Sequence, residues 1–126
     1  MHCDGVVEEV RPVIPEGVFE GRPVEIRRLC CCYGNRILID FVVSGDPRQN
    51  GQVVSGIADE EINENTKLGH WIAAILGRTP QAGETITADN LLHRECRLVI
   101  RDKTQGLSRV FSAVVDVLPA GKAPVI

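Results

Sequence analysis

Polar and apolar positions alternate most cleanly over Arg36 to Ser44. Ile37, Ile39, Phe41 and Val43 fall on one side, and Arg36, Leu38, Asp40 and Val42 on the other. A period of two is that of a strand with one buried face, and this segment is expected as the second strand. Val18 to Leu29 reads as the first. Val18, Val24 and Ile26 share a parity there, while Arg22 and Arg28 interrupt it. Pro23 has no N–H to give to a ladder, so an edge or a bulge is expected at that point. Gly45 to Gly51 is rich in turn residues, and Gln52 to Asp59 reads as a third strand.

The period then changes. Leu68, Ile72, Ile75 and Leu76 recur at i, i+4, i+7 and i+8, which gives one apolar face of a helix. Asn65 or Thr66 is the expected cap, Gly77 the expected stop, and Pro80 lies beyond it. Trp71 borders the apolar face and is expected in the core. Thr87 to Leu92 reads as a single helical turn capped by Thr87. Cys96 to Lys103 is the expected fourth strand, with Leu98 and Ile100 on one side. After a turn at Thr104-Gln105-Gly106, Ser108 to Leu118 is the fifth, with Phe111, Ala113, Val115 and Val117 on one face and Val110 and Val114 on the other. Ile37, Ile39, Phe41, Leu68, Ile72 and Phe111 are expected to share one core.

The resulting order, β-β-β-α-β-β, predicts a mainly β fold: a five-stranded, OB-like Greek-key barrel with one helix between strands three and four. A rolled sheet closed on one side by the helix is the nearest alternative. Residues 1–16, broken by Pro12 and Pro15, read as an irregular leader. Residues 17–120 read as the barrel domain and 121–126 as a short tail.

Composition narrows the picture. The 126 residues suit one domain with one core, and 44% hydrophobic with 25% charged residues is an ordinary globular balance. There is no apolar run of about 20 residues, which a helical membrane span would need. The first residues, Met1-His2-Cys3-Asp4, do not resemble a secretory signal. Five cysteines, three of them consecutive, do not resemble a secreted disulfide framework. A cytoplasmic protein without a membrane partner is expected. The net charge of −3 lacks the basic bias of many DNA-coating proteins. The acid is concentrated early, at Asp4, Glu8, Glu9, Glu16 and Glu20, which leaves the remainder nearly balanced and able to carry a local basic face.

Several segments together resemble a loose group of small phage- and plasmid-borne proteins. They are Pro15 to Gly21, Tyr33-Gly34, Thr66-Lys67-Leu68-Gly69-His70-Trp71, Leu76-Gly77-Arg78, Cys96 to Ile100 and Val114 to Pro119. Some members of that group are similar to phage replication or recombination proteins that bind single-stranded DNA. The resemblance implies that activity, with a second copy of the chain or other phage or plasmid replication proteins as partners. One departure is plain. The group carries Leu-x-Gly-Arg-x-Cys where this chain has Leu92-His93-Arg94-Glu95-Cys96, so the glycine is missing just before strand four.

Candidate chemistry is sparse. Gly-x-Ser-x-Gly and Walker motifs are absent, and no enzymatic activity, cofactor or metal is expected. Cys30-Cys31-Cys32 lacks the Cys-x2-4-Cys pairs of a zinc site and reads as thiols beside a turn. Asp59, Glu60, Glu61 and Glu64 read as a solvated loop ahead of the helix. The remaining candidates suit nucleic acid: Arg27, Arg28, Tyr33 and Arg36 around the first hairpin, Arg48 in the next loop, and Arg101, Lys103 and Arg109 around the last. Phosphates attract such cations, and Tyr33 is the aromatic placed to stack on a base. The expected function is weak binding of single-stranded DNA as a replication or recombination accessory of a phage or mobile element. The rival reading is a protein-interaction or structural module that binds no nucleic acid.

Overall fold

A computed structural model describes residues 14–31, 34–63, 65–81, 83–105 and 109–120, with the backbone alone for residues 31, 105 and 109. The elements are β1 (Gly17–Cys31), β2 (Gly34–Ser44), β3 (Val53–Asp59), α1 (Lys67–Leu76), α2 (Ala88–Leu91), β4 (Cys96–Gln105) and β5 (Arg109–Pro119). The fold is mainly β. Its five strands form one mixed sheet that closes in the order β1-β2-β3-β5-β4, with β4 returning to β1. Every pairing is antiparallel except β3 with β5, which run parallel through a single pair, Ser55 with Ala113. Among the described residues no helix is long and apolar enough to cross a membrane.

The second strand follows its sequence pattern. Ile39, Phe41 and Val43 are fully buried, and Ile37 packs against the same core. Bulges shift the face elsewhere. Between Pro23 and Glu25 two steps of β1 oppose one step of β2, so Val24 is the extra residue. Before the bulge Gly21 and Pro23 turn inward and Val18 is 52% exposed; after it Ile26 turns inward. Val18, Val24 and Ile26 therefore do not share one face as their parity suggests. In β5 the buried positions are Ser112, Val114 and Val117, with Val115 the extra residue opposite the Val99–Ile100 step of β4. Phe111 and Ala113 lie on the other face, and Phe111 is not in the core where the sequence pattern places it.

Local chemistry explains α1. The Thr66 hydroxyl accepts the Gly69 N–H (3.2 Å), and Gly77 ends the helix in the left-handed region at φ 76°. Leu68, Trp71, Ile72 and Ile75 carry its buried face into the barrel. Thr66, Leu68, Gly69 and Trp71 of this motif have structural roles. A Cβ on Gly69 would lie 1.9 Å from the Asn63 carbonyl oxygen, Trp71 is fully buried, and the Lys67 ammonium lies 5.0 Å from the indole centroid. Beyond the helix, Arg78 and Glu84 form a two-contact ion pair (2.9 and 2.5 Å), and Glu84 also accepts the Gln81 N–H (2.9 Å). In the short α2, capped at Thr87, only Leu91 is buried.

Two features near the ends of the sheet complete the barrel. Ile14, in the stretch read as leader, is fully buried. Its N–H donates to the Ser112 hydroxyl (2.7 Å), and that hydroxyl donates to the Ile14 carbonyl (3.1 Å). His93, just before β4, takes a left-handed φ of 65°. Its N–H reaches the Pro23 carbonyl (2.8 Å), which ties the turn before β4 to the bulge of β1.

Candidate nucleic-acid interface

The outward faces of the strands hold the candidate cations. Register places Glu25, Asp40, Ser55, Ala113 and Arg101 in one row that crosses β1, β2, β3, β5 and β4. On β1–β3 this row is a closed polar network. Arg27 bridges Glu25 (3.0 Å) and Asp40 (3.1 Å), and the Ser55 hydroxyl donates to the other Asp40 oxygen (2.6 Å). Half-buried Leu38, Val42 and Ile57 surround it, with Val53 45% exposed.

The first hairpin is thus less cationic than its sequence suggests. Besides Arg27, Arg28 pairs with Glu60 and Arg36 with Asp59 (3.4 Å). Two of the carboxylates read as a solvated loop, Asp59 and Glu60, lie beside these arginines and neutralise them, whereas Glu61 accepts from the Asn63 amide. Glu64 lies outside the described residues. Arg48 sits in the β2–β3 loop, where its N–H donates to Asp46 (2.9 Å). Tyr33 and the side chain of Arg109 lie outside the described residues, although the backbone of Arg109 pairs with Gln105.

The last hairpin differs. Lys103 opposes Phe111, and Arg101 opposes Ala113 on the same outward face. The Arg101 guanidinium donates to the Ile100 carbonyl (3.1 Å), and neither cation has a carboxylate partner among the described residues. Phe111 is half-buried beside Lys103, which makes it a second aromatic candidate for stacking.

Lys67, which the sequence reading passed over, joins this region. Burial lowers its pKa, the nearby charges of Lys103 and Arg36 lower it further, and Asp116 and Asp59 oppose them. Lys67 therefore feels the charges of both Lys103 and Arg36, and is a third cation to consider beside Arg101 and Lys103. A sequence signal existed: Lys67 opens a helix whose first turn has no acidic residue, where the helix dipole favours an anion.

Other features offer less. A shallow cleft of about 380 Å³ lies between the start of β1 and the β2–β3 loop, lined by Val18, Phe19, Glu20, Ser44, Gly45, Asp46 and Pro47. Its two carboxylates disfavour phosphate. Cys30 is exposed, whereas burial pushes the Cys96 thiol up to about 12; Cys32 lies outside the described residues. Among the described residues no three His, Cys, Asp or Glu side chains are grouped to hold a metal ion. No family model matches the chain, and no curated protein matches it.

Proposed function

We propose that the domain is an OB-type barrel that binds single-stranded nucleic acid weakly and non-enzymatically, as an accessory in the replication or recombination of a phage or mobile element. The observation that carries this reading is the common outward placement of Arg101, Lys103 and Phe111 on β4–β5, with cations that no described carboxylate neutralises. Phosphates track such cations, and a base stacks on an aromatic face between them. The closed strand order supports the OB assignment. The similarity of the helix and closing-strand motifs to phage- and plasmid-borne proteins supports the setting. Lys67, whose pKa the charge of Lys103 helps to lower, adds a further cation to that side of the domain.

The test is fluorescence anisotropy of a labelled oligonucleotide at several salt concentrations. Each neutralised phosphate contributes about −0.7 to the log–log salt slope of a single strand, so three contacts give roughly −2. A flat response, or no binding at low salt, overturns the proposal. One observation favours the second reading, a protein-interaction module: Arg27, Arg28 and Arg36 are all paired with carboxylates. That reading predicts no oligonucleotide binding in the same titration.

A further inference from the structure

The two edges of β1 are used unequally. One edge pairs with β2 from Glu20 to Cys31. The other pairs with β4 only from Gly17 to Gly21. The His93 N–H then takes the Pro23 carbonyl (2.8 Å). From Val24 to Cys30, among the described residues, no strand pairs with this second edge, and Glu25, Arg27, Arg28 and Cys30 are exposed. Such an edge presents alternate N–H and C=O groups to solvent and is a template for another strand.

We propose that this edge of β1 pairs antiparallel with the same edge of a second copy of the chain, about a two-fold axis at Ile26. The register follows from charge. Opposed residues of an antiparallel pair share a face, so a two-fold axis normal to the sheet falls on a residue rather than between two. An axis at Glu25, Arg27 or Arg28 sets a like charge against itself. Val24 is the bulge residue, and the chain before it is Pro23, which has no N–H to donate. An axis at Leu29 sets Arg27 opposite Cys31, and one at Cys30 sets Leu29 opposite Cys31; neither forms an ion pair. An axis at Ile26 sets Glu25 of each copy opposite Arg27 of the other, twice, with Ile26 against Ile26.

The side chains suit that register. Glu25 and Arg27 are about half exposed (56% and 51%) and lie 3.0 Å apart along the same face, so contact with the second copy needs no rebuilding of the strand. Charges that blunt an edge against unrelated strands are here self-complementary. The paired segment is short, which makes this a weak interface with a dissociation constant of roughly micromolar order.

Sedimentation velocity of the full chain under reducing conditions tests the proposal, since the reductant removes dimers linked through cysteine. A concentration-dependent species of twice the chain mass is expected. Glu25→Arg places Arg against Arg across the axis and is expected to weaken the dimer by at least roughly tenfold. Arg27→Glu, which places Glu against Glu, does the same. Mixed together, the two variants restore opposite charges at both positions, so a heterodimer forms where each alone is monomeric. Thermal melting checks that each variant is folded, and Glu25→Arg remains decisive if Arg27→Glu is not. A wild-type chain that stays monomeric overturns the proposal. So does a dimer indifferent to Glu25→Arg, or a mixture of folded variants that stays monomeric.

Discussion

Gly56 of β3 lies against the indole of Trp71, so closely that a Cβ at position 56 would stand 2.7 Å from Trp71 Cη2 and 3.0 Å from the Val114 carbonyl oxygen. The helix enters the barrel through this contact. It sits beside the single pair that joins β3 to β5, where the wall has least strand pairing. Trp71 also meets Phe41 edge to face, with ring centroids 6.2 Å apart. Gly56→Ala is expected to destabilise the fold by about 1–3 kcal/mol through overpacking against a rigid ring and a backbone oxygen. Urea unfolding followed by the fluorescence of Trp71, the chain's one tryptophan, measures it. An unchanged midpoint would mean that the indole has room to move.

His93 carries a second, opposite expectation. Its φ of 65° is a region that side chains other than glycine enter at a cost of roughly 1–2 kcal/mol. Part of the gain from glycine is lost to the greater freedom of the unfolded chain. His93→Gly is expected to stabilise the protein by about 0.5–1 kcal/mol. His93→Val is expected to destabilise it, because a β-branched residue resists that region more strongly. Thermal melts of the two variants, compared with wild type, give both signs.

The hairpins make separable contributions to the proposed binding. Arg101→Ala with Lys103→Ala removes two cations that have no carboxylate partner, and is expected to reduce the magnitude of the salt slope by about 1.4. Arg27→Ala with Arg28→Ala is expected to do less, because both guanidinium groups already face carboxylates. Phe111→Ala is expected to cost about 1–3 kcal/mol of affinity if its ring stacks on a base. Anisotropy titrations of these variants rank the two surfaces. A larger loss from the first-hairpin pair would move the interface there.

The Arg78–Glu84 pair gives a pH signature. Arg78 holds the Glu84 carboxyl down to about 2 from its ordinary 4.5, aided by the Gln81 N–H. A depressed folded-state pKa stabilises above the unfolded value, and that contribution is lost as pH falls from about 4.5 through about 2. The pair is solvent-exposed, so the effect is small and weakens with salt. The stability difference between wild type and Glu84→Gln is expected to be constant near neutrality and to shrink below pH 5. Urea midpoints across that range measure it, and a difference that stays constant to pH 2 contradicts the shift.

Much of the architecture was written in local sequence. The alternation of Ile37, Ile39, Phe41 and Val43 specified β2 because a strand with one buried face has a period of two. Thr66 and Gly77 marked the ends of α1 because a hydroxyl oxygen and a residue free to take positive φ satisfy groups that the helix leaves unpaired. Pro23 announced the bulge beside it by its missing N–H.

Tertiary structure decided which face of β1 and β5 points inward and which arginines remain available. The run Val110 to Leu118 offers apolar residues on both parities, so period alone cannot choose between them. Ring closure, the Ser112 contact with Ile14 and the bulge at Val115 turn Ser112, Val114 and Val117 inward and leave Phe111 outside. The arginines of the first hairpin are likewise ambiguous in sequence, because their neutralising carboxylates come from strand register and from the chain after β3. Asp40 is 13 residues from Arg27, and Glu60 is 32 from Arg28. Local spacing specifies an element through hydrogen bonds made within a few residues. The orientation of bulged strands and the pairing of charges depend on contacts that exist only once the barrel has closed.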